Sequence, residues 1–210
     1  MPKPGQIKYY EDLLAKHGDH FLSLDWKSPE SQRLRFNIFE EIIALTGKTN
    51  NFSMLDVGCG FGDLYGYLKG SGYKFDYTGY DIAPKIIETA KRKYPDARFE
   101  IKDILDCKNP KQFDFVFCCG ALNISFEEKE AHLDFIQSML IVMFELCKIG
   151  VGVNFLSTQA VYYLPEDVLK QSQYFYSDPE RIIRFSKAIT SRYILRHEYN
   201  PGDFTVVLLK

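Results

Sequence analysis

Several things are scarce in this 210-residue sequence, and each shortage excludes a class of protein. No apolar run is unbroken over the roughly 20 residues that a spanning helix needs: the apolar parts of 135–156 are interrupted by Gln137, Glu145, Lys148 and Asn154. The start, Met1-Pro-Lys-Pro-Gly-Gln, lacks the apolar stretch of a secretory signal. Charge of one sign is not in excess, since 26 Lys and Arg against 28 Asp and Glu leave a formal net charge of -2. No global positive field therefore gathers nucleic acid or anionic lipid. Cysteine is sparse: Cys59, Cys107, Cys118, Cys119 and Cys147 include no Cys-x-x-Cys pair. Neither a disulfide framework nor a zinc knuckle is indicated, and the thiols read as reduced and mostly buried. The expectation is a cytoplasmic protein with no membrane or nucleic-acid partner and no metal.

What is present suits one well-buried domain. Hydrophobic residues make up 46% and aromatic residues 15%, ample for a core in a chain of this length. Short apolar runs alternate with helical periodicity, the pattern of an α/β fold. Two lead-in helices come first, over about 6–17 and from Ser28-Pro29-Glu30 to Gly47; Ser28 suits the cap and Pro29 the first turn. We therefore divide the chain into a helical lead-in or lid at 1–48 and a single globular unit at 49–210.

Strands are predicted at 53–57, 75–81, 98–101, 113–118 and 151–156. Helices intervene from about 62, from Pro84, and after Ser125-Phe-Glu-Glu128, which has the spacing of a capping box. Helical crossovers make these strands parallel. After a helix capped by Asp178-Pro179, strand-like 191–199 meets strand-like 203–209 across Asn200-Pro201-Gly202. So short a connection allows only an antiparallel hairpin. The fold expected is doubly wound and largely parallel, with seven strands and a C-terminal antiparallel hairpin.

Leu55-Asp56-Val57-Gly58-Cys59-Gly60-Phe61-Gly62-Asp63 lies where the first strand hands over to the first helix of that sheet. Glycines there let the backbone turn sharply and approach a ligand, which the amides at the helix start then face. Asp81 ends the next strand in Tyr80-Asp81-Ile82, where a carboxylate can accept both hydroxyls of a ribose. Together they indicate a nucleoside-containing cofactor. A dinucleotide turn wants a small third residue where this chain has Asp63, whose charge would repel a pyrophosphate.

The run Asp56-x-Gly58-x-Gly60-x-Gly62 resembles the first motif of class I S-adenosylmethionine (SAM) dependent methyltransferases, and the likeness extends over about 150 residues. It implies a Rossmann-like methyltransferase fold with SAM as cofactor. It further implies that Asp56, Gly58, Cys59 and Gly60 lie along the methionyl part, Asp81 and Ile82 at the ribose, Asp103 and Ile104 at the adenine, and Cys119 and Gly120 between cofactor and acceptor. The chain departs from the Asn/Asp-Pro-Pro-aromatic pattern of enzymes that methylate bases or glutamine. More narrowly, Tyr10-Glu-Asp-Leu-Leu, the segment Trp26 to Phe36 and Asn154-Phe-Leu-Ser-Thr158 are similar to small stand-alone bacterial methyltransferases of unassigned substrate.

In the lead-in, Trp26, Arg33 and Arg35 are candidates to fold over the cofactor, an Arg pairing with its carboxylate. A catalytic base is not identified; His17, His20, Tyr10 and Tyr162 are weak candidates. The function expected is methyl transfer from SAM to a small-molecule acceptor by in-line displacement, the acceptor uncharged or acidic. The alternatives are a catalytically silent SAM-binding or interaction module and, less favoured, a nicotinamide-dependent reductase. Neither the acceptor, the atom methylated nor the oligomeric state is legible.

Overall fold

The computed structural model describes residues 4–106, 112–125, 127–169 and 173–210. Cys107, and Phe126 of the capping pattern, lie outside the described residues. The chain opens with α1 (Pro4–His17), a 3-10 turn (Phe21–Leu24) and α2 (Pro29–Leu45). There follow β1 (Asn50–Val57), α3 (Asp63–Gly70), β2 (Lys74–Asp81), α4 (Pro84–Lys93), β3 (Arg98–Ile101), a 3-10 turn (Ile104–Asp106) and β4 (Phe113–Cys119). The remainder comprises α5 (Lys129–Leu146), β5 (Cys147–Ser157), a 3-10 turn (Thr158–Tyr162), α6 (Glu166–Leu169), β6 (Tyr176–Ser177), α7 (Pro179–Ile189), β7 (Tyr193–Arg196) and β8 (Asp203–Leu209).

The strands form one sheet in the order β3-β2-β1-β4-β5-β8-β7, with two-residue β6 pairing on β5 off that path. Pairing is parallel from β3 through β5. Only β8 is antiparallel to its neighbours β5 and β7. The α/β fold with its terminal antiparallel hairpin is thus as the sequence predicts, and β6 is an eighth strand that its two residues could not announce. The hairpin is shorter on its first arm than expected, because 197–202 is spent on a turn in which Asn200 Oδ1 accepts the Gly202 amide at 2.8 Å.

Apolar periodicity sends helices to both faces. On one face α2 and α3 pack on the aromatic centre of the sheet, with Phe39 stacked on Phe117 at 4.6 Å. On the other, Leu133, Ile136 and Leu140 of α5 and Ile182 of α7 cover Val116, Val151 and Phe204. Ser28 accepts the Ser31 amide at 3.1 Å and Asp178 the Glu180 amide at 2.9 Å, so both caps form. The third does not. Helix α5 begins at Lys129 after an N-cap Glu128 without a side-chain cap bond, while Ser125 Oγ accepts from the Glu127 amide at 3.2 Å. Ser125 serves a local turn instead, since its own amide is drawn to the Gln173 carbonyl.

Sheet order reverses between β1 and β4, the point where open α/β sheets leave a crevice at their carboxyl ends. All the residues predicted for the cofactor except Arg33 line that crevice.

Candidate functional site

The turn after β1 is built from backbone. The amides of Gly58 and Cys59 both reach the Tyr80 carbonyl, at 2.8 and 3.0 Å, stitching the turn to the end of β2. Gly58 has φ +68, and an added Cβ would stand 2.3 Å from the Ala121 Cβ in the loop after β4. A side chain there would therefore be strained twice, by conformation and by collision. Gly120 has φ +84, a backbone conformation that favours glycine, and its Cβ position is at contact distance, 3.4 Å, from the ring of Trp26.

Two acids hold this turn in different ways. Asp56 is buried, and the Tyr77 hydroxyl donates to it at 2.8 Å. Burial pushes its carboxyl up to about 7, against the pull of the Tyr77 hydrogen bond, with the charges of Asp81 and Asp63 adding to the rise. Asp81 is half-buried; one oxygen accepts the Gly60 amide at 3.1 Å and the other the Ala83 amide at 2.9 Å. Its carboxyl is also raised by burial, and those backbone bonds oppose the rise.

These residues line a cavity of about 330 Å³, at the small end of the ~300–1,000 Å³ range of small-molecule sites. Gly58, Cys59, Gly60, Asp81, Ile82, Asp103, Ile104, Cys119 and Gly120 all contribute to its wall. Asp103 also accepts the Leu105 amide at 2.9 Å, which fixes the 3-10 turn after β3. The thiols of Cys59 and Cys119 are pushed up chiefly by burial and stay protonated. Asp63, whose charge counted against a dinucleotide, is held by Gln32 Nε2 at 3.1 Å and Lys93 Nζ at 2.9 Å.

The lead-in is brought over this cavity, and its predicted residues divide. Trp26, Arg35 and Tyr10 line the wall. Arg33 is exposed on α2 and outside the wall, because Gln32 and Arg35 take the inward face of the helix. Arg35 is buried and committed within the protein: it pairs with Asp203 at the start of β8, and its guanidinium lies 5.2 Å from the Trp26 ring. A carboxylate partner for Arg35 is thus supplied by the chain itself. Of the base candidates, His17, His20 and Tyr162 stand outside the wall. His20 is exposed and caps the 3-10 turn, while Tyr162 is 75% exposed. Tyr10 lies on the wall, but burial raises its phenol far above the usual range, so it remains neutral and is no base.

The structure adds Asp25 and Gln6, to which the sequence did not point, and gives Asn123, in the loop after β4 that the family resemblance implied lies between cofactor and acceptor, a partner that the sequence could not show. Asp25, in the left-handed region at φ 60, accepts from Tyr9 at 2.9 Å and also bonds Tyr174. Gln6 Nε2 donates to the Ile124 carbonyl at 2.8 Å, tying α1 to the loop after β4. Asn123 uses Oδ1 to accept the Leu156 amide at 2.9 Å, locking the ends of β4 and β5 together. None has a spacing signal, since each meets its partner only through the fold.

A glycine turn and an acid at the end of the next strand, at the switch point of this sheet, make a site for a nucleoside-containing cofactor, as the sequence predicts. Comparison with known proteins agrees. Residues 54–142 match the family described as a methyltransferase domain. A candidate methyltransferase of Mycobacterium tuberculosis (strain ATCC 25618 / H37Rv) is 27% identical over 168 residues, covering 76% of this chain and 93% of the relative. Among solved structures, a plantazolicin methyltransferase in complex with a substrate analogue and S-adenosylhomocysteine (SAH) has a TM-score of 0.71 at 13% identity, covering 98% of this chain and 96% of that one. The magnesium protoporphyrin IX methyltransferase of Synechocystis PCC 6803, with bound SAH, has a TM-score of 0.65 at 13% identity, covering 99% and 94%. Residues 54–142 are thus a methyltransferase domain, and the chain resembles the class I SAM-dependent methyltransferases in sequence and fold. The reductase reading falls with that assignment. Among the described residues no helix is long and apolar enough to cross a membrane.

Proposed function

We propose that this protein transfers the methyl group of SAM to a small-molecule acceptor, with the lead-in 1–48 acting as a lid over domain 49–210. The observation that carries the reading is that the cavity has a roof. Tyr10, Leu24 and Trp26 of the lead-in line the same cavity of about 330 Å³ as the glycine turn, so cofactor and acceptor would share one small-molecule-sized space, which favours a compact acceptor.

The residues present fit SAM. Asp81 keeps a half-buried carboxylate at the β2 terminus that would take the ribose, the backbone of the Gly58–Gly60 turn would lie along the methionyl part, and Asp103 with Ile104 would border the adenine. Gly120 supplies backbone in a left-handed conformation, φ +84, that a side chain would strain. When bound, SAM supplies an activated methyl on a sulfonium, open to in-line displacement by a nucleophile. The protein's part is to orient the reactants and keep water out, which its buried walls accomplish without a base from the residues named above.

The test has two arms. Calorimetric titration should show binding of SAM and SAH and none of NADH; a chain that binds neither sulfur nucleoside would end the reading. Incubation of a lysate with methyl-labelled SAM should then put enzyme-dependent label in the small-molecule fraction. Label confined to protein or nucleic acid would overturn the choice of acceptor.

A further inference from the structure

We propose that the acceptor carries a cationic group, an ammonium or a similar organic cation, and that Asp25 is the residue that recognises it; the inference rests on the methyl-transfer reading above. Asp25 lies on the cavity wall, half-buried. Its carboxylate takes a hydroxyl from α1 through Tyr9 and another from Tyr174, beside β6. Among the described residues no Lys, Arg or His pairs with it, and its carboxyl is raised mainly by burial, with only the two phenols opposing. Both phenols are themselves pushed above their ordinary range by burial and by this carboxylate, so they remain donors. A carboxylate taken out of water with hydrogen bonds but no counter-charge is stabilised by a cation brought to it.

The surroundings favour the same ligand. Trp26 follows Asp25 in the wall, and Tyr10 lies within the field of both Asp25 and Asp81. Aromatic faces beside a carboxylate suit a small organic cation. The other cations of the wall answer other groups: Arg35 is spent on Asp203, Lys102 reaches Tyr80 at 3.3 Å, and Lys27, exposed, acts on Asp203 rather than on Asp25. With Arg35 neutralised by Asp203, the carboxylates Asp25, Asp81 and Asp103 outnumber the remaining cations Lys27 and Lys102 on the wall, which opposes an anion. The acidic acceptor allowed by the sequence reading is therefore disfavoured, and the choice narrows to a positively charged one.

Calorimetry on the SAH-saturated protein tests this with three matched probes: phenethylamine, 2-phenylethanol and 3-phenylpropionate. The amine should bind at least about tenfold more tightly than the alcohol, and the carboxylate should not bind. Asn tolerates the left-handed backbone of position 25, so Asp25→Asn should fold, keep its SAH affinity within about twofold and lose most of the preference for the amine. Equal binding of amine and alcohol, or no binding of any probe by protein that holds SAH, would overturn the proposal, as would a preference undiminished in Asp25→Asn. The wild-type ranking alone decides the matter should the variant misfold. A fourth result, in which Asp25→Asn weakens SAM about tenfold relative to SAH and leaves the probes unaffected, would assign Asp25 to the cofactor's own sulfonium and also overturn the acceptor role. Failure of SAH to bind the wild type would instead strike the methyltransferase reading beneath it.

Discussion

The two halves of the cavity are made by different means. The cofactor half is made of backbone at the ends of adjacent strands: the Gly58 and Cys59 amides on the Tyr80 carbonyl, and the Gly60 and Ala83 amides on Asp81. Its partners lie within about 25 positions of one another. The roof and acceptor half is made of side chains from distant parts of the chain, with Gln6 on Ile124, Asp25 between Tyr9 and Tyr174, and Arg35 on Asp203, 168 positions away. A backbone-built half tolerates side-chain change and fails when the turn is crowded; a half built on buried polar pairs fails when a single partner is removed.

The largest expected effect is on the side-chain half. Asp203→Leu leaves the Arg35 guanidinium buried without its counter-charge, at a cost of about 3–5 kcal/mol, whereas Arg35→Met combined with Asp203→Leu should return to within about 1–2 kcal/mol of the wild type. Urea unfolding of the two singles and the double measures it; additive losses would show that the pair does not act as a unit.

Next is a dependence on pH inside the cofactor half. The folded protein holds the Asp56 carboxyl at about 7 by burial, above its unfolded value, so protonation favours the fold. The stability contributed is complete below about pH 4 and is lost as pH rises toward 7, amounting to up to about 4 kcal/mol across that window. Asp56→Asn keeps an acceptor for the Tyr77 hydroxyl and removes the titration. Its unfolding free energy should fall less than that of the wild type between those pH values, and parallel profiles for the two proteins would count against a buried, raised carboxyl.

Crowding the turn comes third. Gly58→Ala sets a Cβ against Ala121 at φ +68 and should cost about 2–4 kcal/mol, with SAH binding lost alongside; a variant as stable as the wild type would mean that the loop after β4 yields freely. The smallest effects separate Asp81 from Arg33. Asp81→Ala should weaken SAH by about 1.5–3 kcal/mol, while Arg33→Ala, on the exposed face of α2, should change it less than twofold. Calorimetry on both settles the contrast, and comparable losses would contradict an Arg33 that stands outside the wall.

These differences follow what could be read before the fold was known. The Asp56-to-Gly62 turn, Asp81 and the parallel order were legible because turn chemistry, strand period and crossover length act over short stretches. Arg33 and Arg35 were not separable, since only the direction in which α2 docks tells which of them faces inward. His17 and His20 were proximate in sequence, and only the docking of α1 and of the turn after it shows that both stand off the cavity wall. Ser125 shows the limit in a local motif, where a competing bond to Gln173 displaced the expected cap.

The sequence by itself determined the class of cofactor, because glycine and carboxylate positions are dictated by backbone geometry near one turn. What covers that cofactor was decided by tertiary structure. Asp25 gains its two phenols, and Arg35 its carboxylate, only when α1, α2, β6 and β8 arrive at the same edge of the sheet, because each partner comes from a distant part of the chain.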